Sequence, residues 1–432
     1  MKLSIGAFTV AIGIVLTCLQ VTDCRADEQI LEPSLRGLDR TISLPYGFWN
    51  ETFGTAVGYA FAINGYPQPQ AGVIATVMAG TEGSAMGFVM GQNIRLFGVE
   101  RLFFDPVVSS GYFKNVDVYI DGNPKYLDEQ AGSNDSHAND YVTGDGWDTF
   151  VRFRFRYLLP IGSGREHVLP NYTFDNGLLS DGANGGTSMN PLRSGRTFVE
   201  LRPFYRSQNI ENDVLKGRQT TNGVEFSLFW DNRDYPGNPS RGNALSFKVA
   251  RDEGWFNSNE SWTSVGAEYD HYVSLGASDS FRQRVLAFDF WTAYSPTWSV
   301  QADGTIENRP PGFSGATLGG LWRLRAFPAQ RFNDKAGIYY GAELRMIPNG
   351  NFFDHFPALQ RRVGVEWIQL VGFVEAGRVA PDWSFDELHS DMKWDVGFGI
   401  RAWAKGLVVR VDTAYSEEGL GVQMMIGQPF QF

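Results

Sequence analysis

The sequence predicts an all-β fold, an antiparallel transmembrane β-barrel, from three observations. Apolar and polar side chains alternate in the C-terminal segments, as in Trp394, Val396, Phe398 and Ile400. These segments are about ten residues long, the length that a tilted strand needs to cross a bilayer. Tight turns alternate with long polar loops, and the chain ends on Phe432. Because successive side chains point to opposite faces of a strand, one face meets lipid and the other water.

The composition fits such a barrel. The 432 residues have a mean hydropathy of -0.23 and are 43% hydrophobic and 14% aromatic. This is too polar for a bundle of membrane helices, and the sequence contains no apolar helix of membrane length after its first segment. The net charge of -11 gives no support to nucleic-acid binding.

The first 26 residues are predicted to be a secretion signal peptide. A short basic start precedes an apolar run over 3–21, and residues 24–26 offer a small-x-small cleavage site before Asp27. A membrane anchor is the alternative, but no stop-transfer cluster follows. Both cysteines, Cys18 and Cys24, lie in this segment, so the processed chain would contain none.

Residues 27–50 are predicted to be a short periplasmic lead, and the barrel is predicted to occupy 51–432. Because bacterial single-chain barrels close with an even number of strands, we expect 16. The predicted strands lie at 55–63, 72–80, 84–95, 99–111, 114–121, 149–159, 197–207, 222–231, 243–251, 262–274, 283–294, 336–347, 367–378, 393–403, 406–415 and 420–431. Residues 121–148 are predicted to form an extracellular loop, and 160–196 and 295–335 to be long irregular connections.

Charged side chains on the later strands are predicted to face a wet lumen. A charge facing lipid near mid-membrane costs about 2–4 kcal/mol, and seven charges fall opposite the lipid-facing residues of their strands: Glu343, Arg345, Glu375, Asp395, Arg401, Arg410 and Asp412. Structural pairing across the lumen is the simpler expectation for each of them. The Arg152, Arg154, Arg156 series is a candidate anion-attracting patch, and its alternative role is to pair with acidic residues on facing walls.

An enzymatic function has little support. A barrel phospholipase needs a Ser/His pair and an orienting group. Of the five histidines only His271 lies inside a clear strand, and no serine lies two residues from it. His and Cys spacings typical of metal sites are absent, so no catalytic residue, metal or other cofactor is predicted.

Three segments carry a family resemblance. The first is a turn between two strands, whose notable residues are Asp231, Arg233, Asp234, Pro236, Pro239 and Gly242. The second runs from Leu318 through Arg325-Ala326-Phe327 to Lys335. The third begins with Phe373-Val374-Glu375-Ala376-Gly377 and continues through the last strands to Phe430. In this order and spacing the segments resemble the BamA/TamA superfamily of outer-membrane barrels, the bacterial surface-antigen type, over roughly 222–432.

The resemblance implies a 16-stranded barrel whose sixth extracellular loop folds back into the lumen. The arginine at the loop tip is then expected to pair with an acidic residue of the inner wall. The corresponding residues here are Arg325 and Phe327 at the tip, with Glu375 and Asp395 on the wall. Ala326 replaces the usual glycine and Glu375 the usual aspartate, so the charges are kept. Family insertases also carry POTRA domains before the barrel, and the chain looks like the POTRA-less branch.

The resemblance favours a role in outer-membrane protein assembly or translocation, through a weak seam between the first and last strands. The alternatives are a passive or gated pore plugged by the inward loop, and a structural or adhesive surface barrel. The expected location is the outer membrane of a Gram-negative bacterium, in contact with its lipid and lipopolysaccharide. The β-barrel assembly machinery is expected to read a C-terminal signal formed by Ile426, Gly427, Phe430 and Phe432. A periplasmic partner in place of POTRA domains is a further expectation.

Overall fold

The structure is a computed structural model that describes residues 41–50, 52–120, 122–126, 128–212, 216–351, 355, 364–404, 407–426 and 428–429. The predicted signal peptide and cleavage site lie outside these residues. So do Gly427, Phe430 and Phe432 of the predicted C-terminal signal, and the side chain of Ile426.

Sixteen antiparallel strands form one nearly closed barrel, as the sequence predicts. In chain order they are β1 (Thr41–Asn50), β2 (Gly54–Asn64), β3 (Gly72–Gly80), β4 (Ala85–Gln92), β5 (Leu102–Val118), β6 (Val142–Leu158), β7 (Arg196–Glu211), β8 (Lys216–Asp231), β9 (Gly242–Glu253), β10 (Ser261–Ser274), β11 (Phe281–Tyr294), β12 (Ala336–Pro348), β13 (Val365–Ala380), β14 (Lys393–Ala404), β15 (Leu407–Ser416) and β16 (Gly419–Ile426). Each strand pairs with the next along the chain. β4 continues as Ile94–Arg95 after Asn93, whose positive φ interrupts the strand.

The two edges of the sheet are its first and last strands. β1 pairs with β2, and β16 pairs with β15. β1 and β16 are neighbours, but no ladder joins them among the residues that the structure describes. These two strands therefore form a seam in the wall.

Alternation sorts the side chains between the outside and the lumen. Val57, Val77, Phe226 and Leu420 are 67%, 64%, 52% and 66% exposed on the outer surface. The seven charged residues predicted to face the lumen are all buried, with at most 2% of their surface exposed. Period-two alternation thus places apolar groups toward lipid and charges inside, because lipid offers a charge no hydrogen-bonding partner.

The first third of the barrel corrects several predicted boundaries. Residues 41–50 form β1 and are not part of a periplasmic lead. The segments 99–111 and 114–121, predicted as two strands, belong to the single strand β5, which continues past a register shift between Phe113 and Val116. The two errors cancel, so the strand count of 16 is confirmed. β6 begins at Val142, which shortens the loop predicted over 121–148.

The connections lie on two rims. The rim where β1 begins and β16 ends is called the terminal rim, and the opposite one the distal rim. The terminal rim carries the long connection 159–195 and the turn 232–241. The distal rim carries 119–141, 295–335 and 381–392.

Short elements shape these connections. They are the 3-10 helix Gly162–Arg165, the hairpin of Thr173–Asp175 with Leu178–Asp181, the pair Ser299–Val300 with Ile306–Glu307, the pair Ala316–Leu318 with Phe332–Asp334, and the helix Phe385–Leu388. Within the described ranges, none of the helices is long and apolar enough to cross a membrane.

Candidate functional site: a loop locked into the lumen

The 295–335 connection folds back into the barrel. The short pair Ala316–Leu318 with Phe332–Asp334 brings both limbs of the loop together. Beyond the pair, Leu324 and Phe327 are fully buried. They belong to a cluster that the loop shares with wall residues, among them Trp291, Tyr339, Val371 and Phe373. Apolar burial therefore fixes the loop tip against the strands β11 to β15.

Arg325 is the centre of the tip, and its side chain has no exposed surface. Its Nη1 lies 2.6 Å from Oδ2 of Asp412, its Nε 3.1 Å from Oε1 of Glu375, and its Nη2 2.9 Å from Oε1 of Glu343. The guanidinium carbon lies 3.5 Å from the ring centroid of Phe373. A planar guanidinium suits such a site, because it binds several carboxylates in its plane and stacks on a ring with its face.

Backbone groups of the tip bind the same carboxylates. The N–H of Arg325 donates to Glu375 at 2.7 Å, and the N–H of Ala326 donates to Asp395 at 2.9 Å. The hydroxyl of Tyr339 donates to Glu375 at 2.5 Å. The carboxylate of Asp395 thus binds a backbone N–H of the loop tip, whereas the carboxylate of Glu375 binds both the backbone N–H and the side chain of Arg325. Glu343 and Asp412, predicted from the sequence only to face the lumen, are the two other carboxylates at the guanidinium.

The replacement of the usual glycine by Ala326 has a local explanation. The residue of the tip with positive φ is Leu324, at 53°, and Ala326 is not in that conformation. The turn therefore takes its left-handed residue two positions earlier, where the side chain of Leu324 is also fully buried. An alanine at 326 costs no backbone strain there.

The charges around the tip balance. Four guanidinium groups face four carboxylates within this cluster, which we call the lock: Arg325, Arg345, Arg401, Arg410, Glu343, Glu375, Asp395 and Asp412. Glu343 accepts from Arg345 at 2.7 Å and from Arg401 at 2.7 Å, and Arg410 donates to Asp412 at 2.7 Å. Buried charges persist only when they are paired and hydrogen-bonded, and here the loop cation is matched by carboxylates of the wall.

The last strand also touches the tip. Gln423 of β16 donates from Nε2 to the carbonyl of Arg325 at 3.1 Å. A Cβ at Gly421 would lie 2.6 Å from the same carbonyl oxygen and 2.8 Å from the Cα of Ala326. A glycine at 421 therefore lets the tip pack directly on a strand that borders the seam.

A second buried arginine, Arg331, ties the distal loops together. Its Nε and Nη2 bind the carboxylate of Glu418 at 2.9 and 2.8 Å, and its Nη1 and Nη2 donate to the hydroxyl and carbonyl of Ser136 at 2.8 and 2.7 Å. The N–H of Asn333 donates to the carbonyl of Gly132 at 2.7 Å. The 119–141 connection therefore lies over the inward loop. We call this arrangement the dome.

The turn 231–242, whose residues carry part of the family resemblance, bends toward the lumen at the terminal rim. Arg233 pairs with Asp231 at 2.8 Å inside the turn. The Oδ1 of Asn238 accepts from Gln428 at 3.2 Å, and Gln428 in turn accepts from Nη1 of Arg401 at 2.6 Å. Because Arg401 also binds Glu343, a continuous series of hydrogen bonds runs from this turn to the lock.

The arginine series on β6 lies in the other half of the lumen. Arg154 pairs with Glu200 at 2.5 Å and Arg156 with Asp105 at 2.5 Å. These partners lie on the adjacent strands β7 and β5, not on facing walls. No group of three or more His, Cys, Asp or Glu side chains is arranged to hold a metal ion in the described part of the chain.

The fold and this site define a class: a 16-stranded membrane barrel whose lumen is occupied by one of its own loops. Residues 102–430 match the model of the Omp85 superfamily domain. The chain belongs to the Omp85 superfamily, whose members are assembly or translocation proteins. No curated protein matches the sequence.

The barrel is also similar to solved structures. CdiB from Escherichia coli is 11% identical, with a TM-score of 0.54, and the match covers 89% of this chain and 62% of CdiB. CdiB from Acinetobacter baumannii is 12% identical at a TM-score of 0.49, with 89% and 59% covered. BamA from Haemophilus ducreyi lacking POTRA domains 1–3 is 10% identical at a TM-score of 0.46, with 89% and 68% covered.

Proposed function

We propose that this barrel is an outer-membrane component that helps polypeptides to insert into, or to cross, the membrane, and that it rests in a closed state held by the lock. Membership of a superfamily of assembly and translocation proteins supports the general role. The observation that carries the proposal is the placement of Arg325, on a loop, against carboxylates of β12, β13 and β15. In the proposed orientation the terminal rim faces the periplasm and the distal rim the outside.

The seam supplies the opening. β16, β1 and β3 have 8, 10 and 9 residues, whereas β5 and β6 have 17 each. A strand needs about 9–11 residues to cross the bilayer, so the strands near the seam are barely long enough to span it. Unpaired strand edges are costly in lipid and are templates for a further strand. A polypeptide segment that pairs with either edge would satisfy these groups, which supports insertion through the seam.

A gated pore is the second candidate, because a 16-stranded barrel is wide enough for an aqueous channel once its loop leaves. The buried lock argues against a permanently open pore. A channel that conducts in its resting state would leave the guanidinium of Arg325 accessible to water, and here it has no exposed surface.

Reconstitution separates the candidates. The purified chain in liposomes is expected to speed the folding of a urea-unfolded outer-membrane barrel, measured by its heat-modifiable migration on gels. Planar bilayers should meanwhile show little conductance. High conductance of the unmodified chain without any effect on folding would support the pore and overturn the assembly role.

A matched pair of variants links either activity to the lock. Arg325→Ala removes the central cation, while Arg165→Ala removes an exposed arginine of the terminal rim. Only the first should change folding activity or conductance.

A further inference from the structure

The 159–195 connection enters the mouth of the barrel on the terminal rim. Val168 and Leu169 pack against a buried cluster of lumen-facing side chains: Phe103, Leu158, Phe198, Phe229 and Ala244. Arg196 holds this first limb by donating from Nη1 and Nη2 to the carbonyls of Val168 and His167, at 2.6 and 2.9 Å. The limb therefore fills space inside the wall of β5 to β9.

The hairpin of Thr173–Asp175 with Leu178–Asp181 then reaches the opposite wall. Trp367 of β13 donates from Nε1 to the carbonyl of Gly177 at 2.8 Å. Leu178 packs against the cluster of Ile347, Trp367, Trp403 and Val408. Trp367 and Trp403 are 0% and 2% exposed. Because β6 and β13 lie seven strands apart in a ring of sixteen, the segment spans the mouth from one side to the other.

An aromatic side chain makes the second contact with the far wall. The ring of Phe174 lies 4.9 Å from that of Tyr235 and 6.1 Å from that of Trp403. Tyr235 belongs to the turn 232–241 and also contacts Tyr172 at 4.9 Å. Burial raises the pKa of both tyrosines above the ordinary range, as expected for hydroxyls cut off from bulk water.

The returning limb is held by the turn 231–242. Asn184 donates from its N–H to the carbonyl of Asp234 at 2.8 Å, and from Nδ2 to that of Asp231 at 3.1 Å. Asn232 accepts from the N–H of Gly186 at 3.0 Å. This turn is therefore the support on which the long segment rests.

We propose that residues 159–195 form a lid that closes the lumen from the terminal rim, and that the chain has two barriers in series: this lid and the lock. The hairpin is the movable part. Among the residues that the structure describes, it meets the far wall through side-chain packing and one backbone acceptor, the carbonyl of Gly177, and the barrel ladders continue beneath it without its participation. It can therefore detach from Trp367 and Trp403 while both ends of the segment stay attached to β6 and β7. The lid controls access to the lumen for any polypeptide that the barrel transports.

Leu178→Cys reports the position of the lid, because the apolar cluster partly covers that side chain when the hairpin is docked. A maleimide reagent is added to the detergent-solubilised chain in which Cys18 and Cys24 are replaced by serine. We expect slow labelling in the otherwise unchanged chain and at least tenfold faster labelling with Phe174→Glu. Leu192→Glu, at a position 60% exposed in the same segment, is the matched control and should leave the rate unchanged. Equal labelling rates in the Leu178→Cys chain, with and without either further substitution, would show that the hairpin is not docked.

Conductance in planar bilayers tests whether the lid is a barrier. We expect low conductance with Phe174→Glu alone, because the lock remains, and a small increase with Arg325→Ala alone, because the lid remains. The double variant should conduct several-fold more than the sum of the two. The contrary result is that Phe174→Glu speeds labelling of the thiol at position 178 while the double variant conducts no more than Arg325→Ala. In that case the hairpin detaches but the lid is no barrier, and the proposal is wrong.

Gly177→Val is a second way to release the hairpin without altering an aromatic residue. Gly177 has a φ of 72°, and a Cβ there would lie 2.9 Å from Cδ1 of Trp367 and 2.6 Å from Oε2 of Glu366. It should reproduce the labelling and conductance of Phe174→Glu if the latter fails to fold. Failure of these tests would leave the folding activity proposed above untouched, so the two proposals fall separately.

Discussion

Two clusters of buried arginines among the described lumen residues differ in which part of the chain supplies the cation. On β5 to β8, Arg154, Arg156 and Arg202 pair with carboxylates of neighbouring strands, so wall binds wall. In the lock, Arg325 comes from a loop and binds carboxylates of three strands. The chemistry is the same in both, yet only the second joins a loop to the barrel wall. A guanidinium–carboxylate pair in a barrel is therefore part of the scaffold unless a loop provides one partner.

The largest effect on the loop is expected from Arg325→Ala. Removing one partner of a buried ion cluster costs about 3–5 kcal/mol, because Glu375, Glu343 and Asp412 lose their shared cation. Proteolytic cleavage within 295–335 should become faster by roughly two to four orders of magnitude, since cleavage follows the population of the open form and each 1.4 kcal/mol is about tenfold. Heat-modifiable migration should show that the barrel is still formed. Arg325→Lys keeps the charge but loses the planar fork. Cleavage within 295–335 as slow as in the unmodified chain would therefore contradict the role assigned to the guanidinium group.

Glu375→Gln should have the same kind of effect at a smaller size. The amide oxygen can still accept from the backbone N–H of Arg325, so the loss is confined to the charged contact with Nε and the hydrogen bond from the hydroxyl of Tyr339, at about 1.5–3 kcal/mol. Combined with Arg325→Ala, the change should be less than additive, because both substitutions remove the same interaction. Simple addition of the two effects on loop cleavage would show that the residues act independently.

Arg331→Ala should loosen the dome and leave the lock in place. Arg331 binds Glu418 and Ser136, which belong to distal connections and not to the lock. Loss of these charge-assisted bonds should cost about 1.5–3 kcal/mol and speed cleavage within 119–141. Cleavage near Arg325 should change little. If both regions open together, the dome and the lock are one unit.

The smallest effect on the loop is expected from Glu200→Gln in the wall cluster. Glu200 has no exposed surface and accepts from Arg154, Arg202 and Ser227. Its replacement should lower the temperature at which the barrel unfolds, measured by heat-modifiable migration. Cleavage within 295–335 should stay as slow as in the unmodified chain. Faster cleavage there would show that the wall cluster also holds the loop.

The strand pattern was predictable because each strand must keep apolar groups toward lipid and polar groups inside. That rule placed Glu343, Glu375, Asp395 and Asp412 on the inner face. It failed near β1, where the short polar stretch before it and Pro45 within it are typical of a lead. It also failed at β5, because the register shift between Phe113 and Val116 breaks the alternation.

Partners inside the lumen were less accessible to sequence reasoning. The period-two alternation of a strand indicates which side chains face inward, but it gives no distances across the barrel. Asp412 and Glu343 could therefore not be predicted as partners of Arg325. The 159–195 segment gave a weaker signal still. Its apolar residues, such as Val168, Leu169 and Phe174, stand singly or in pairs among Gly, Asn and Ser. Neither strand nor helix periodicity marks them.

The balance of four cations and four anions in the lock has an electrical consequence. When all eight groups are ionised, the closed cluster has no net charge and offers little attraction to ions of either sign. Withdrawal of the loop takes Arg325 away and leaves three guanidinium groups facing four carboxylates on the wall. The opened lumen would then carry an excess of negative charge where the loop had been. Under a salt gradient, the reversal potential of the open state should accordingly reveal a preference for cations.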